Sequence, residues 1–219
     1  RMIRDGVPVA NGKYSTHGIM VEVLVDGQFG YYGTPNISKE GVDHASMNAY
    51  KQAKAASKYS VHSFSDEVRP KSIGTYKSPF IKHIKDVSAK ELNVLLLDAY
   101  KHLRVSDKIV SATSLATTIE TNFHYVSSNG SDILQEFLML EFDLSATAVD
   151  GSNQQTRTFG GMRGTCRQVG MEFLDQMEIL SQANKIGEQA IELLTAEETP
   201  TGEMDLVIAS DQMMLQIHE

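Results

Sequence analysis

Cysteine occurs once in the 219 residues, at Cys166, and tryptophan does not occur at all. A single thiol cannot close an internal disulfide, so nothing argues for an oxidising compartment, and the cytoplasm is the expected location. Positive charge is scarce: 20 Lys and Arg face 28 Asp and Glu, a formal balance of −8, with no basic run. Nucleic-acid binding leans on clustered Lys and Arg, so DNA and RNA are not expected partners. Apolar runs stop well short of the ~18 residues that a membrane span needs. The N-terminus also lacks the basic, apolar, small-residue order of a signal peptide, so no membrane partner is expected. Internal repeats and low-complexity segments are missing too. What is present, 41% apolar residues, is enough for one large domain or two small ones with a true core.

Both ends read as cut. The chain starts on Arg1 rather than Met, with Arg1 to Ala10 already patterned as part of an element. At the other end Gln212 to Glu219 is a mostly apolar, helix-like run without a Gly, Asn or Pro stop signal. The expectation is a piece of a longer protein.

Between the ends the pattern is mixed. Ile19 to Tyr32 places Val21, Val23 and Val25 on one face and turns at Asp26-Gly27, a type I′ hairpin signal. Val42, Ala45, Ala49, Ala53 and Ala56 then recur at helical spacing within Ile37 to Ser57. Val61 to Ile84, with Pro70, Gly74 and Pro79 and no sustained period, reads as a long connection that covers a face or lines a cleft. Ser88 and Glu91 form a capping box ahead of a helix striped with Leu92, Leu95, Leu96, Ala99 and Leu103. Two long strands are expected around Asn129-Gly130. The first is Leu115 to Val126, with Leu115, Ile119, Phe123 and Tyr125 in phase. The second is Ile133 to Val149, with Leu138, Leu140, Phe142, Leu144, Ala146 and Ala148 alternating with polar residues. A third strand from Thr156 to Met162 and a helix from Val169 to Ala196 complete an antiparallel meander with its cover. A polar linker, Glu197 to Gly202, leads to a short apolar strand, Asp205 to Ala209, and marks a domain boundary. The fold class is α+β, with antiparallel sheets and hairpins covered by helices.

Candidate chemistry is sparse. His218-Glu219 is the one dipeptide that suggests a mechanism, since a helix can present an imidazole to a metal while the next carboxylate serves as general base. Composition alone yields such a pair about once in two chains of this length, so chance remains the competing reading. Cys166 sits between Arg163 and Arg167, a setting that would favour a thiolate; the bland alternative is a small residue at a strand-to-helix junction. Phe159 to Gly164 is glycine-rich ahead of a helix and could cradle a phosphate, or simply turn at a strand end. His17, His44, His62, His83, His102 and His124 are scattered, with no pair at helical metal spacing.

The end of the chain carries a resemblance. Pro200, Gly202, Val207, Ile208, Ala209, Leu215 and the His218-Glu219 pair, together with Gly18, Val21, Val23, Gly27, Gly30, Ile37 and Ser38 near the start, resemble the TldD/PmbA family of metallopeptidases. This family was once described as modulators of DNA gyrase. The resemblance implies a two-domain protein, of which residues 1–199 are the N-terminal α+β domain and 200–219 the start of a C-terminal metallopeptidase domain. It implies a TldD-type subunit in which His218 is the first zinc ligand of a His-Glu-x-x-x-His motif. Glu219 is then the base that activates metal-bound water to hydrolyse unfolded or extended peptides. The second His and a later Cys ligand would lie beyond Glu219, and Cys166 does not match that Cys. With one ligand in view, the 219 residues alone are expected to be inactive. The implied assembly is a homodimer or a heterodimer with a PmbA-like partner, and a non-catalytic assembly or regulatory subunit is the alternative.

Overall fold

The computed structural model describes residues 1–160 and 165–219, with Asp211 described by its backbone alone. The chain divides into two compact units, one of residues 1–12, 75–124 and 134–219 and one of residues 13–74 and 125–133.

The first unit holds most of an antiparallel sheet. Its strands are β1 (Met2–Arg4), β2 (Val7–Ala10), β5 (Ile73–Lys77), β6 (Ile109–Val126), β7 (Asp132–Asp150) and β8 (Asn153–Thr158), in the order β2-β1-β6-β7-β5, with β8 also paired to β7. Helices α2 (Ala89–Leu103) and α4 (Ile179–Glu192) pack together with α3 (Glu172–Gln176) over one sheet face. The β7 alternation holds as the sequence predicts: Leu138, Leu140, Phe142, Leu144, Ala146 and Ala148 all point into the core. They meet Leu92, Leu96, Ala99 and Leu103 of α2 and Ile179, Ala183, Ile186 and Ala190 of α4. The capping box forms, with Ser88 Oγ accepting from Glu91 N–H (3.1 Å) and the Glu91 carboxylate from Ser88 N–H (2.7 Å).

Several expectations need correction, the third strand among them: it runs Asn153–Thr158 rather than from Thr156 to Met162, and 161–162 lie outside the described residues. β6 starts at Ile109, itself fully buried, rather than Leu115, and from Ala112 on its buried side is the small one, Ala112, Ser114 and Ala116, while Ile119 and Phe123 are exposed. The bulky α2 leucines need small residues beneath them, and Ser114 Oγ, donating to the Leu96 carbonyl (2.7 Å), is satisfied there. β5 lies inside the segment read as a connection. Its five residues are all exposed and Gly74 breaks the period, so its pairing with β7 rather than its own pattern makes it a strand. The stretch from Val169 to Ala196 is not one helix, because Glu178 is left-handed (φ 47°) between α3 and α4. Leu174 and Ile179 are both buried but five residues apart, about 140° out of phase on a straight helix, and the break brings them onto one side. Finally, Asp205 to Ala209 is not a strand: Leu206 and Val207 are exposed and, among the described residues, no strand pairs with them.

In the second unit β3 (Ile19–Val25) and β4 (Gln28–Thr34) form the expected hairpin, with Asp26 (φ 49°) and Gly27 (φ 74°) both left-handed as a type I′ turn requires. Helix α1 (Lys39–Ser57) lies against it through Ala45, Ala49 and Ala53, while Ala56 is exposed. Gly30 lets the α1 backbone come close, since a Cβ there would lie 2.0 Å from the Ala49 carbonyl oxygen. Phe29 packs on Phe64 (5.3 Å) and under the Arg69 guanidinium (5.3 Å), which also pairs with Glu22 (2.7 Å). The 125–133 turn places Gly130 in the left-handed region, with Asn129 Oδ1 accepting from Ser131 N–H (3.0 Å).

Asp143 is the odd residue of β7. It sits on the sheet face opposite Phe142, half-buried, beside Glu141, with Oδ1 accepting from Leu144 N–H (2.8 Å). Burial pushes its carboxyl up to about 6, aided by the Glu141 charge and opposed by the Leu144 hydrogen bond. A folded value above the unfolded one means that this group's favourable contribution is complete below about pH 4 and is lost as pH rises through about 6. After allowing for its exposure, the ionised form costs about 1 kcal/mol at neutral pH. Asp143→Asn should therefore raise stability to urea by about that much at pH 7.5 and leave it unchanged at pH 4.

Candidate functional site

The sequence-predicted pair lies on α5 (Ser210–His218), with His218 as its last residue and Glu219 as its C-cap. Both side chains are exposed, as are Met214, Leu215 and Ile217 of the same helix. Glu219 N–H donates to the Leu215 carbonyl (3.1 Å), which carries the helical path through to the end of the pair. Neighbouring residues on a helix diverge by about 100°, so the imidazole and the carboxylate leave in different directions. Among the described residues no group of three or more His, Cys, Asp or Glu could hold a metal ion. A catalytic zinc usually takes three protein ligands, and one exposed imidazole does not meet that demand. The donor set described here does not fit a catalytic metal by itself.

The other candidates stay apart. Cys166 is partly buried, and the neighbouring Arg167 guanidinium donates to the Cys166 carbonyl oxygen (2.9 Å). Arg163 and most of the glycine-rich stretch fall at 161–164, outside the described residues, so the thiolate setting and the phosphate cradle are not described. His102 bonds the Asp98 carbonyl one helical turn back (2.8 Å), and His44 meets Asn48 (3.0 Å) and the Tyr32 ring.

What the fold does assemble is a groove of about 340 Å³ in the first unit, at the small end of the range for ligand pockets. The segment after β5 supplies Ser78, Phe80, His83 and Lys85, with Lys77 from β5 itself, Glu120 and Asn122 from β6, and Glu136 from β7. Two ion pairs flank it: Lys85 Nζ to Glu120 Oε1 (3.0 Å) and Lys77 Nζ to Glu136 Oε2 (3.2 Å). Phe80 lies between, its ring touched by the His83 edge (centroids 5.0 Å, 79°) and by Lys77 Nζ (5.4 Å). Beneath it the buried Ser78 hydroxyl accepts from Leu138 N–H (3.1 Å) and donates to Gln168 Oε1 (3.1 Å). The connection thus lines a cleft. Its partners lie on separate strands, so no local motif could have announced the groove; only the β5-β7-β6 order brings them together.

An antiparallel sheet with helices over one face in one unit, and a hairpin backed by a helix in the other, define an α+β protein. A model described as the PmbA/TldA metallopeptidase central domain matches residues 82–194, from the groove segment through α4 and just beyond. The chain belongs to the PmbA/TldD family of metallopeptidases. It is 28% identical over 221 residues to a metalloprotease of Methanothermobacter thermautotrophicus, covering all of this chain and 46% of that protein. A metalloprotease of Methanocaldococcus jannaschii is 24% identical over 203 residues, with 93% of this chain and 44% of that protein covered. The chain therefore spans less than half the length of either relative. Among solved structures, a Thermotoga maritima protein described as a candidate modulator of a DNA gyrase shares the fold. Its TM-score is 0.62 at 16% identity, and the match covers 92% of this chain and 44% of that one.

Among the described residues, no helix is long and apolar enough to cross a membrane.

Proposed function

We propose that this chain is part of a zinc-dependent peptidase that hydrolyses unfolded or extended peptides, for their maturation or degradation. In this reading His218 contributes one metal ligand, Glu219 is the general base, and the enzyme is a cytoplasmic dimer, either a homodimer or paired with a PmbA-like subunit. The observation that carries the proposal is the metallopeptidase domain match over residues 82–194. The relatives named metalloproteases support it. The fold is compatible with the substrate: β2 and β5 end the sheet and are exposed along their length, and extended peptides bind by adding a strand to such edges. Among the described residues the donor set does not by itself hold a metal.

The test is metal content and peptidase activity of the complete gene product beside its Glu219→Gln variant. Near-stoichiometric zinc in both, with hydrolysis of an unfolded peptide pool reduced about 10²- to 10⁴-fold in the variant, is expected. The 219 residues alone should show no hydrolysis. No zinc and no hydrolysis in the wild type would overturn the proposal and leave a subunit that binds or assembles.

A further inference from the structure

We propose that His83 is a pH-operated latch on the wall of the groove: neutral, it caps the turn that forms the wall; protonated, it releases that turn and engages Glu120. This goes beyond the peptidase reading and does not depend on it. Residues 83–86 close on themselves. Lys85 N–H donates to His83 Nδ1 (3.1 Å), and His83 N–H donates to Asp86 Oδ2 (3.0 Å), capping the short 3-10 turn Ile84–Asp86 from both sides. A ring nitrogen that accepts carries no proton, so the neutral imidazole holds its proton on Nε2. That nitrogen lies 4.0 Å from Glu120 Oε1.

Adding a proton changes one contact of each kind. It goes onto Nδ1, where N–H would face the Lys85 N–H, and two donors cannot bond, so the cap is lost. The ring becomes a cation, and its Nε2–H is drawn to the Glu120 carboxylate. The two states exclude one another, because the nitrogen that caps is the one that must be proton-free. The charges around His83 set the balance. Glu120 from β6 and Asp86 from the turn favour the cation. Lys85, already 3.0 Å from the same Glu120 oxygen, and Lys77 of β5, seated on Phe80 and paired with Glu136 of β7, oppose it. The turn does not move alone, because Met171 N–H donates to the Lys82 carbonyl (2.7 Å) and Lys82 N–H to the Glu172 carboxylate (2.8 Å), tying the same segment to the start of α3. Acidification therefore loosens one wall of the groove.

Hydrogen exchange of the Lys85 amide in the complete gene product, corrected for its intrinsic rate and followed from pH 5 to pH 8, tests this. Protection should fall by about threefold to tenfold on acidification, the worth of one hydrogen bond. In His83→Asn the side-chain oxygen can still cap but does not titrate, so protection should stay high and flat. In Glu120→Gln the fall should persist with its midpoint moved to lower pH, since the carboxylate that favours the cation is gone. Unchanged protection of the α2 amides checks that each variant is folded. A flat wild-type profile, a fall that survives in His83→Asn, or a midpoint unmoved in Glu120→Gln would overturn the proposal.

Discussion

Phe142→Ala should destabilise the protein by about 3–5 kcal/mol, read as a lowered urea midpoint at unchanged slope. Phe142 is fully buried near the middle of β7, between Leu140 and Leu144 and beneath the helices. Its backbone has little freedom to close the space that truncation would leave. Phe142 N–H donates to Thr165 Oγ1 (3.3 Å) and the Thr165 hydroxyl donates back to the Phe142 carbonyl, while the ladders hold the rest of the strand. A site that cannot collapse keeps its cavity, and the cavity adds to the lost transfer energy. Phe123→Ala, made on the neighbouring strand where the ring is half exposed, should cost under about 1 kcal/mol. Equal costs for the two would contradict the placement of the core.

The second large effect is expected where no side chain exists. Gly30→Val would push a Cβ to 2.0 Å from the Ala49 carbonyl oxygen and 2.7 Å from the Ala53 amide nitrogen. Both are helix backbone, which cannot swing aside as a flexible side chain would. Either α1 lifts from the hairpin or β4 shifts, and the cost belongs at the upper end of overpacking penalties, about 3 kcal/mol. Loss of amide protection along α1 and β3-β4 is the measurement. Gly33→Ala, three residues on in the same strand with open space at its Cβ, is the control and should be close to neutral. Full α1 protection in Gly30→Val would refute the close contact.

These residues also show what the sequence made legible. The β7 face was readable because a strand covered on one side must alternate, and Leu138 to Ala148 alternate without a break. The capping box and the Asp26-Gly27 turn were readable because each is settled by local chemistry within a few residues. β6 was half readable: its period is two, but the eye follows the bulky Leu115, Ile119 and Phe123, whereas packing selected the small side that fits under the α2 leucines. β5 and the Glu178 break were not readable, since the first depends on a partner sixty residues away and the second on where two buried residues must meet. The groove is of the same kind. His83 could be seen, and its place 4.0 Å from Glu120 could not, because that distance is fixed by strand order. The His218-Glu219 pair stood out as a dipeptide and took its roles from the resemblance, and its exposed place on α5 adds no second ligand among the described residues.

One pairing has a bearing on how the chain folds in time. β1 contacts its sheet partner in the register Met2 with Leu115, more than a hundred residues later in the chain. β6 and β7 can zip from their own tight turn, a local event on the microsecond scale for hairpins. β1 instead needs a long loop to close first, which makes its docking entropically late. During synthesis the first strand therefore leaves the ribosome with its partner still unmade. Until β6 emerges, β1 has a bare edge of its own, whereas β2 stays at the sheet edge even in the finished fold, with Val7 and Val9 exposed and Pro8, which has no N–H to give, as a safeguard there.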